Sequence, residues 1–173
     1  GLSLPSIPEG LIERMLDREG ITGAKRELLL GRYQERRRQL REMLAQGSVQ
    51  EILCLPNPEA VQSGSVKLNL GAEMLEASVS YTPGEYAEHI AAIRELVNGE
   101  KNYHLTLLPQ VPFRELQVFT LKDAVAVLRC QEPYTAFVFK NEILTRSIFS
   151  YCDSLIEQFA ADRYTTMQAL SNV

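Results

Sequence analysis

The sequence has little of what metalloproteins and many enzymes need. It contains only two histidines, His89 and His104, and three widely spaced cysteines. Cys54, Cys130 and Cys152 form no CxxC pair and lie far from both histidines, which argues against a zinc site. Their odd number and apolar surroundings favour buried free thiols in a reducing compartment. We therefore expect a cytoplasmic protein that has no metal and no cofactor.

Long apolar runs and a strong charge of one sign are also lacking. No apolar run reaches the roughly 18 residues needed to cross a bilayer, and no signal segment opens the sequence. Residues 1–47 carry nine basic and seven acidic side chains, whereas residues 48–173 carry nine and fifteen. The second part, at a net charge of −6, repels phosphate backbones. We expect it to bind neither a membrane nor, by itself, nucleic acid.

Catalytic motifs are absent as well. The segment from Gly20 to Lys25 lacks the Gly-Lys-Ser/Thr ending of a phosphate loop, and no strand precedes it, so it is interpreted as a helix–helix turn. Gly64 and Ser65 lack the flanking glycines of a nucleophile elbow. The sequence therefore predicts no catalytic residue and no enzyme.

The most informative segment that is present runs from Ser80 to Phe113. Thr82 and Glu85 have the spacing of a capping box, and Pro83 occupies the first helical position between them. Tyr81 and Tyr86 stand at the two positions of a hydrophobic staple. These features predict a helix that begins at residue 83 and ends at Asn98-Gly99.

Apolar spacing predicts the remaining elements. We expect helices over about 9–19, 23–46 and 141–161, and strands over 49–55, 103–108, 116–121, 124–130 and 134–139. The last three strands should form an antiparallel meander, because their connections are short. The helix between the strands at 49–55 and 103–108 suits a parallel crossover. Residues 57–79 stay ambiguous.

These elements predict an α/β fold, with α+β as the alternative. We expect a mixed sheet of about five strands flanked by helices, with an N-terminal helical pair. Residues 1–47 are predicted to form a helical linker or dimerisation extension, residues 48–162 an α/β regulatory domain, and residues 163–173 a mobile tail. Since the chain begins with Gly1 rather than Met, we also expect it to be a piece of a longer protein.

Five ring-bearing side chains are candidates for a ligand-binding surface. They border the predicted helix from residue 83 and the strand that follows it, and no catalytic role is assigned to them. A histidine in such a position can bind a ligand or accept a proton, or can simply pack at the edge of the core. The five residues are Tyr81, Tyr86, His89, Tyr103 and His104.

The helix over 23–46 carries two patterns. Its apolar stripe of Leu29, Tyr33, Leu40 and Leu44 is predicted to form a contact between two copies of the chain. Its arginines could contact phosphates, but intervening glutamates favour a solvated face of ion pairs. These arginines are Arg32, Arg36, Arg37, Arg38 and Arg41.

Several motifs carry a resemblance to a known class of protein. They are Gly-Ile-Thr-Gly at 20–23, the arginine-rich helix, Tyr-Thr-Pro-x-Glu-Tyr-x-x-His at 81–89, Asn-Tyr-His-Leu-x-Leu-Leu-Pro at 102–109 and Pro-Phe at 112–113. Over residues 10–160 the chain resembles the C-terminal regions of bacterial helix-turn-helix regulators with a lambda-repressor-like head. The resemblance implies a sensor or oligomerisation domain that reaches DNA only through an N-terminal domain absent from this sequence. It also implies a homodimer, with an unidentified small-molecule effector as a possible partner.

The order of elements is also similar to one half of the phospholipase D fold. That family needs His-x-Lys, and here His89 and His104 are followed by Ile90-Ala91 and Leu105-Thr106. Phosphodiester cleavage is therefore not implied. Two alternatives to a regulatory domain remain open. One is a small enzyme that pairs a histidine with a carboxylate such as Glu85 or Glu88, and the other is a purely structural interaction module.

Overall fold

The computed structural model describes residues 4–70, 78–109, 116–121, 124–129 and 135–172. These segments contain both helices and strands in a mixed α+β arrangement, which was the stated alternative to α/β, and the predicted N-terminal helical pair is confirmed. A short 3-10 turn at Leu4–Ser6 precedes the first helix. In chain order the elements are α1 (Glu9–Arg18), α2 (Gly23–Gln46), β1 (Val49–Cys54), α3 (Pro58–Gln62), β2 (Lys67–Asn69), β3 (Ser78–Ser80), α4 (Pro83–Gly99), β4 (Tyr103–Leu108), β5 (Leu116–Leu121), β6 (Ala124–Arg129), β7 (Thr135–Phe139), α5 (Glu142–Gln158) and α6 (Arg163–Ser171).

The described strands form three small sheets rather than the one mixed sheet expected from the sequence. β1 pairs with β4 in parallel, so that Val49 lies opposite Tyr103, and this confirms the predicted crossover. β2 pairs with β3, and β5, β6 and β7 form the predicted antiparallel meander. The difference has a simple cause, because alternation of apolar residues indicates a strand but does not indicate which edge it will pair with.

The turn between α1 and α2 depends on two glycines. Gly20 has φ 66° and Gly23 has φ 60°, in the left-handed region where a side chain is disfavoured. The backbone N–H of Gly20 donates to the carbonyl of Asp17, and that of Ile21 donates to the carbonyl of Leu16. The helix therefore ends in a closed turn that directs α2 away from α1.

One apolar core extends across the predicted boundary at residues 47 and 48. Leu11 and Met15 of α1 belong to the same buried cluster as Leu53 of β1 and Ile93 of α4. The helical pair is therefore packed into the body of the protein rather than attached to it as a separate extension.

The stripe predicted as a contact between copies lies inside this core. Leu29 and Tyr33 are almost fully buried, and Leu40 and Leu44 are no more than 9% exposed. The Tyr33 hydroxyl donates to the carbonyl of Ile7 at 2.7 Å. The apolar spacing of α2 identified a buried face, but the surface that covers it belongs to the same chain.

The N-terminus of α4 has the predicted geometry. The Thr82 side chain accepts from the backbone N–H of Glu85, and the Glu85 carboxylate accepts from the backbone N–H of Thr82. The Tyr81 and Tyr86 rings meet edge to face with centroids 5.7 Å apart. Capping box and staple are both confirmed, and together they set where α4 begins.

Two segments gain structure that the sequence did not indicate clearly. Within the ambiguous residues 57–79, Asn57 caps the short helix α3, and β2 pairs with β3. Residues 163–171, which were expected to be a mobile tail, form α6, which is capped by Asp162 and buries Leu170 in the core. The partly buried Met167 also packs against the core, so two apolar side chains dock this weakly patterned helix.

The cap of α4 gives a quantitative test. We expect Thr82→Ala to lower the free energy of unfolding by about 1 kcal/mol, because one N-terminal backbone N–H loses its acceptor. Thr22 is a matched control, since it occupies the N-cap of α2 without a capping bond from its side chain to the described residues. Thr22→Ala should change the same free energy by less than about 0.5 kcal/mol. Urea denaturation measures both, and equal losses would contradict the assignment.

Candidate functional site

The chemistry-bearing cluster of this protein is centred on His89, whose side chain is fully buried. The Tyr81 hydroxyl lies 2.7 Å from Nδ1 of the ring, and the Ser6 hydroxyl lies 2.9 Å from Nε2. We call these three residues the hydroxyl–imidazole chain. It joins the N-terminal turn to the body of the protein, because Ser6 and His89 are 83 positions apart in the sequence.

The secondary-structure elements that carry Ser6, Tyr81 and His89 explain the geometry of the hydroxyl–imidazole chain. Tyr81 directly precedes the N-cap of α4, and His89 follows on the buried side of the same helix. Ser6 ends the 3-10 turn, and the next residue, Ile7, is buried in the core. The staple between Tyr81 and Tyr86 holds the phenol ring in place, so its hydroxyl is presented to the imidazole.

A neutral histidine suits this environment. The neutral ring has one donor and one acceptor nitrogen, and each neighbouring hydroxyl can donate or accept, so either tautomer satisfies both nitrogens. Burial raises the pKa of Tyr81 well above its ordinary value of 10.0, and the neighbouring Tyr86 ring and Glu85 carboxylate raise it further. Tyr81 therefore stays a neutral hydroxyl at ordinary pH.

Two ion pairs connect α1 to α4 beside the hydroxyl–imidazole chain. Arg14 contacts Glu88 at 2.5 Å, and Arg18 contacts Glu85 and also donates to the carbonyl of Ser80. Burial alone would raise the pKa of Glu85, but the hydrogen bonds from Thr82 and Arg18 and the charge of Arg18 hold it below its ordinary value. Glu85 therefore serves both as the cap of α4 and as the partner of α1.

The structure places the five predicted ligand-binding residues in three different locations. Tyr81, Tyr86 and His89 come together as a packed cluster of rings inside the core. Tyr103 is buried elsewhere in the core, and its hydroxyl donates to Glu51 of β1. Burial and the Glu51 charge raise the pKa of Tyr103 above its ordinary value. His104 is exposed, on the opposite face of β4 from Leu105, as strand alternation predicts.

The packing of these rings limits what the cluster can do chemically. A nucleophile and its base must reach a substrate, but the Tyr81 and His89 side chains are almost fully covered. Glu85 and Glu88, the carboxylates considered for a histidine pair, contact arginines of α1. The hydroxyl–imidazole chain is therefore a hydrogen-bonded contact within the core. Ligand binding by its residues stays a prediction.

The surroundings offer one shallow cleft next to this cluster. Its volume is about 310 Å³, and its lining includes Arg18, Gly64, Ser80, Tyr81 and Thr82. Within the described ranges no group of three or more histidine, cysteine or acidic side chains could hold a metal ion. In the same ranges no helix combines the length and the hydropathy that a bilayer-spanning segment requires.

The arginines of α2 behave as a solvated face. Arg38 contacts Glu35 at 2.6 Å and Glu42 at 2.5 Å, and all three side chains are about half exposed. Arg37 lies over the Tyr33 ring and contacts Glu9. These contacts occupy two of the five arginines with acidic partners, which fits the ion-pair interpretation better than a strip of phosphate contacts.

Sequence reasoning missed three members of this site, Ser6, Arg14 and Arg18. A serine in an extended lead-in gives no signal of a distant partner. The arginines give a weak signal, since their spacing of four on α1 is complementary to the spacing of three between Glu85 and Glu88 on α4. Such a match can be recognised only once the two helices are known to be adjacent.

Comparison with known proteins adds no further assignment. No protein-family model matches the sequence, and neither the curated proteins nor the solved structures give a match. The class of this protein must therefore be argued from its own residues.

The hydroxyl–imidazole chain can be tested against a neighbouring tyrosine. Tyr81→Phe removes a hydroxyl that is bonded to a buried nitrogen, and we expect the free energy of unfolding to fall by about 1–3 kcal/mol. Tyr86 is the matched control, because its equally buried hydroxyl has no hydrogen-bond partner among the described residues. Tyr86→Phe should be neutral or stabilising. Chemical denaturation of both variants decides the point, and a larger loss for Tyr86→Phe would refute the assignment.

The depressed pKa of Glu85 predicts a dependence on pH. The carboxylate stabilises the folded protein above its ordinary pKa of 4.5, and this contribution is lost as the pH falls through the lower folded-state value. We therefore expect Glu85→Gln to be less stable than the parent above pH 4.5 and the difference to shrink in acid. Denaturation midpoints at a series of pH values measure this. A difference that does not change with pH would show that the charge is unimportant.

Proposed function

We propose that this chain is the regulatory domain of a bacterial transcription regulator, and that it acts through protein contacts rather than by enclosing a small ligand. One observation supports this most directly, namely that Ser6, Tyr81 and His89 join the N-terminal turn, which precedes the helical pair, to the α/β body beside a shared core. A change in one part is therefore coupled energetically to the other, which is what a domain that controls an attached DNA reader requires.

The packing of the ring cluster favours action through protein contacts over the binding of a small ligand. The rings that were expected to line a pocket fill the space between them, and Tyr81, Tyr86 and His89 are each no more than 2% exposed. An effector would have to displace one of these rings or a hydrogen bond of the imidazole. Contact with a second copy or with another protein needs no such displacement, so we propose a homodimer as the working state.

The attached DNA reader is part of the proposal and comes from the motifs shared with helix-turn-helix regulators. The residues from 48 onward carry a net charge of −6, and three of the arginines of α2 contact acidic side chains. Both properties leave little positive surface for a phosphate backbone. DNA binding would therefore belong to the longer protein and not to this chain.

DNA binding by the longer protein tests the proposal. The natural protein that contains this chain should retain a specific subset of genomic fragments, whereas the 173-residue chain alone should retain none. Tyr81→Phe in the longer protein should change the affinity for the selected duplex by about fivefold or more, because coupling free energies start near 1 kcal/mol.

Tyr86→Phe in the longer protein is the matched control and should leave the affinity unchanged. Gel mobility shifts at one fixed salt concentration measure all of these affinities. A longer protein that selects no DNA would refute the proposed class. Equal effects of the two substitutions would refute only the role of the hydroxyl–imidazole chain in coupling.

A further inference from the structure

The imidazole of His89 is buried with two neutral hydroxyls as hydrogen-bond partners. The Tyr81 hydroxyl lies 2.7 Å from Nδ1, and the Ser6 hydroxyl lies 2.9 Å from Nε2. Serine does not ionise at ordinary pH, and Tyr81 stays neutral because burial raises its pKa. A buried charge is tolerated when a charge of opposite sign is paired with it. These two hydroxyls therefore cannot compensate the positive charge that a proton would give the ring.

The carboxylates nearest to His89 in the sequence of α4 are already paired. Glu85 lies one helical turn before the ring and contacts Arg18, and Glu88 directly precedes the ring and contacts Arg14. Both arginines belong to α1, which packs against α4. Each ion pair is neutral as a whole, so neither carboxylate brings a net negative charge to the histidine.

The other titratable groups around α4 do not change this balance. The N-terminal turn carries none, and Arg94 of α4 is itself positive. The further elements packed most closely against α4 carry Glu59 of α3, Tyr103 and His104 of β4, and Arg163 and Tyr164 of α6. All of these except Tyr103 are exposed, and the Tyr103 hydroxyl donates to Glu51. Burial therefore governs the protonation of His89, and burial disfavours the charged ring.

The two hydroxyls differ in how firmly the fold holds them. Tyr81 is fixed on two sides, because its ring meets Tyr86 edge to face and its backbone N–H donates to the carbonyl of Val66. Ser6 belongs to the N-terminal turn, a three-residue 3-10 segment that pairs with none of the described strands. The N-terminal turn can therefore leave the body without breaking a described sheet, and its departure would open Nε2 to water.

The N-terminal turn docks against α2 and α4. Ile7, which follows the turn, is 1% exposed, and its carbonyl accepts from the Tyr33 hydroxyl at 2.7 Å. The charged groups beside Tyr33 are Arg37 and Glu9, which contact each other. Pro8 then leads into α1 with an extended backbone, at φ −62° and ψ 141°. The N-terminal turn and Ile7 therefore form a small unit that ends where α1 begins.

We propose that protonation of His89 releases the N-terminal turn and Ile7 from the body of the protein, while α4 and the rest of the core stay folded. The docked form keeps the buried ring neutral, and the released form lets water hydrate the charged ring. Histidine in water titrates at about pH 6.5, so docking is favoured above that pH and is lost as the pH falls below it. One proton is taken up on release, so the ratio of released to docked chain rises by up to about tenfold per pH unit. This release is a property of the 173-residue chain itself, whether or not a DNA reader is attached to it.

Nuclear magnetic resonance of the 173-residue chain tests the release. The methyl signals of Ile7 should move to the position of an exposed isoleucine as the pH falls from about 8 to about 5, and the ring signals of His89 should report a proton over the same range. Ile93 is the matched control, because it is equally buried but lies within α4, and its methyl signals should not move. Ile7 signals that stay in place, or Ile93 signals that move with them, would overturn the selective release.

A second variant separates the imidazole from the other groups that respond to acid. His89→Gln keeps a hydrogen-bond donor and an acceptor but takes up no proton, so the Ile7 signals should keep their docked position at about pH 5. His104→Gln is the matched control, because His104 is exposed, and it should leave the movement of the Ile7 signals unaltered. Movement that persists in His89→Gln would assign the release to carboxylates such as Glu9 and would overturn the role of the histidine.

Ser6→Ala decides the point even where His89→Gln does not fold, because it leaves the buried ring in place. The loss of the hydroxyl weakens docking at every pH, so the midpoint of the Ile7 movement should shift to higher pH by about half a unit or more. Ser154→Ala, on the exposed surface of α5, should leave the midpoint unchanged. Equal midpoints in Ser6→Ala and the unaltered chain would contradict the proposed link between the turn and the ring.

Discussion

The buried imidazole of His89 is the constraint on which the rest of the structure depends. A polar ring in an apolar core is tolerated only when its nitrogens are hydrogen-bonded, because an unsatisfied buried group costs about 1–3 kcal/mol. Tyr81 and Ser6 supply hydroxyls to its two nitrogens. Ser6 comes from the very start of the described chain, so the N-terminal turn must stay docked for the core to be satisfied.

Helix α4 is the element that makes this docking possible. Its cap holds Tyr81 and Glu85 on one turn, its next turns present Tyr86, Glu88 and His89, and it contacts α1, α3, β4 and α6. Its capping residue Glu85 is also an ion-pair partner of α1. Capping, ion pairing and core packing therefore all involve α4. Because α4 contacts both α1 and α6, a change in α4 alters contacts with elements near both ends of the described chain.

The meander of β5, β6 and β7 and the helix α5 pack differently from the rest of the structure. The buried core cluster takes its side chains from the part of the chain before β5 and from α6. The described side chains of the meander and α5 lie outside this cluster. An apolar surface that is left uncovered within one copy is a surface available for association. The hydroxyl–imidazole chain thus connects the N-terminal turn to the body, whereas the meander and α5 leave apolar side chains exposed.

The sequence by itself determined the features that arise between neighbouring residues. The cap and staple of α4, the ends of α1 and α2, the meander and the alternation that exposes His104 all depend on residues only a few positions apart. Tertiary structure alone decided which distant groups meet. His89 binds Ser6 across 83 positions and Tyr103 binds Glu51 across 52, and no local pattern encodes such a pairing. The stripe of α2 shows the same limit, because apolar spacing indicates that a face is buried, whereas the fold decides whether the same chain or another copy covers it.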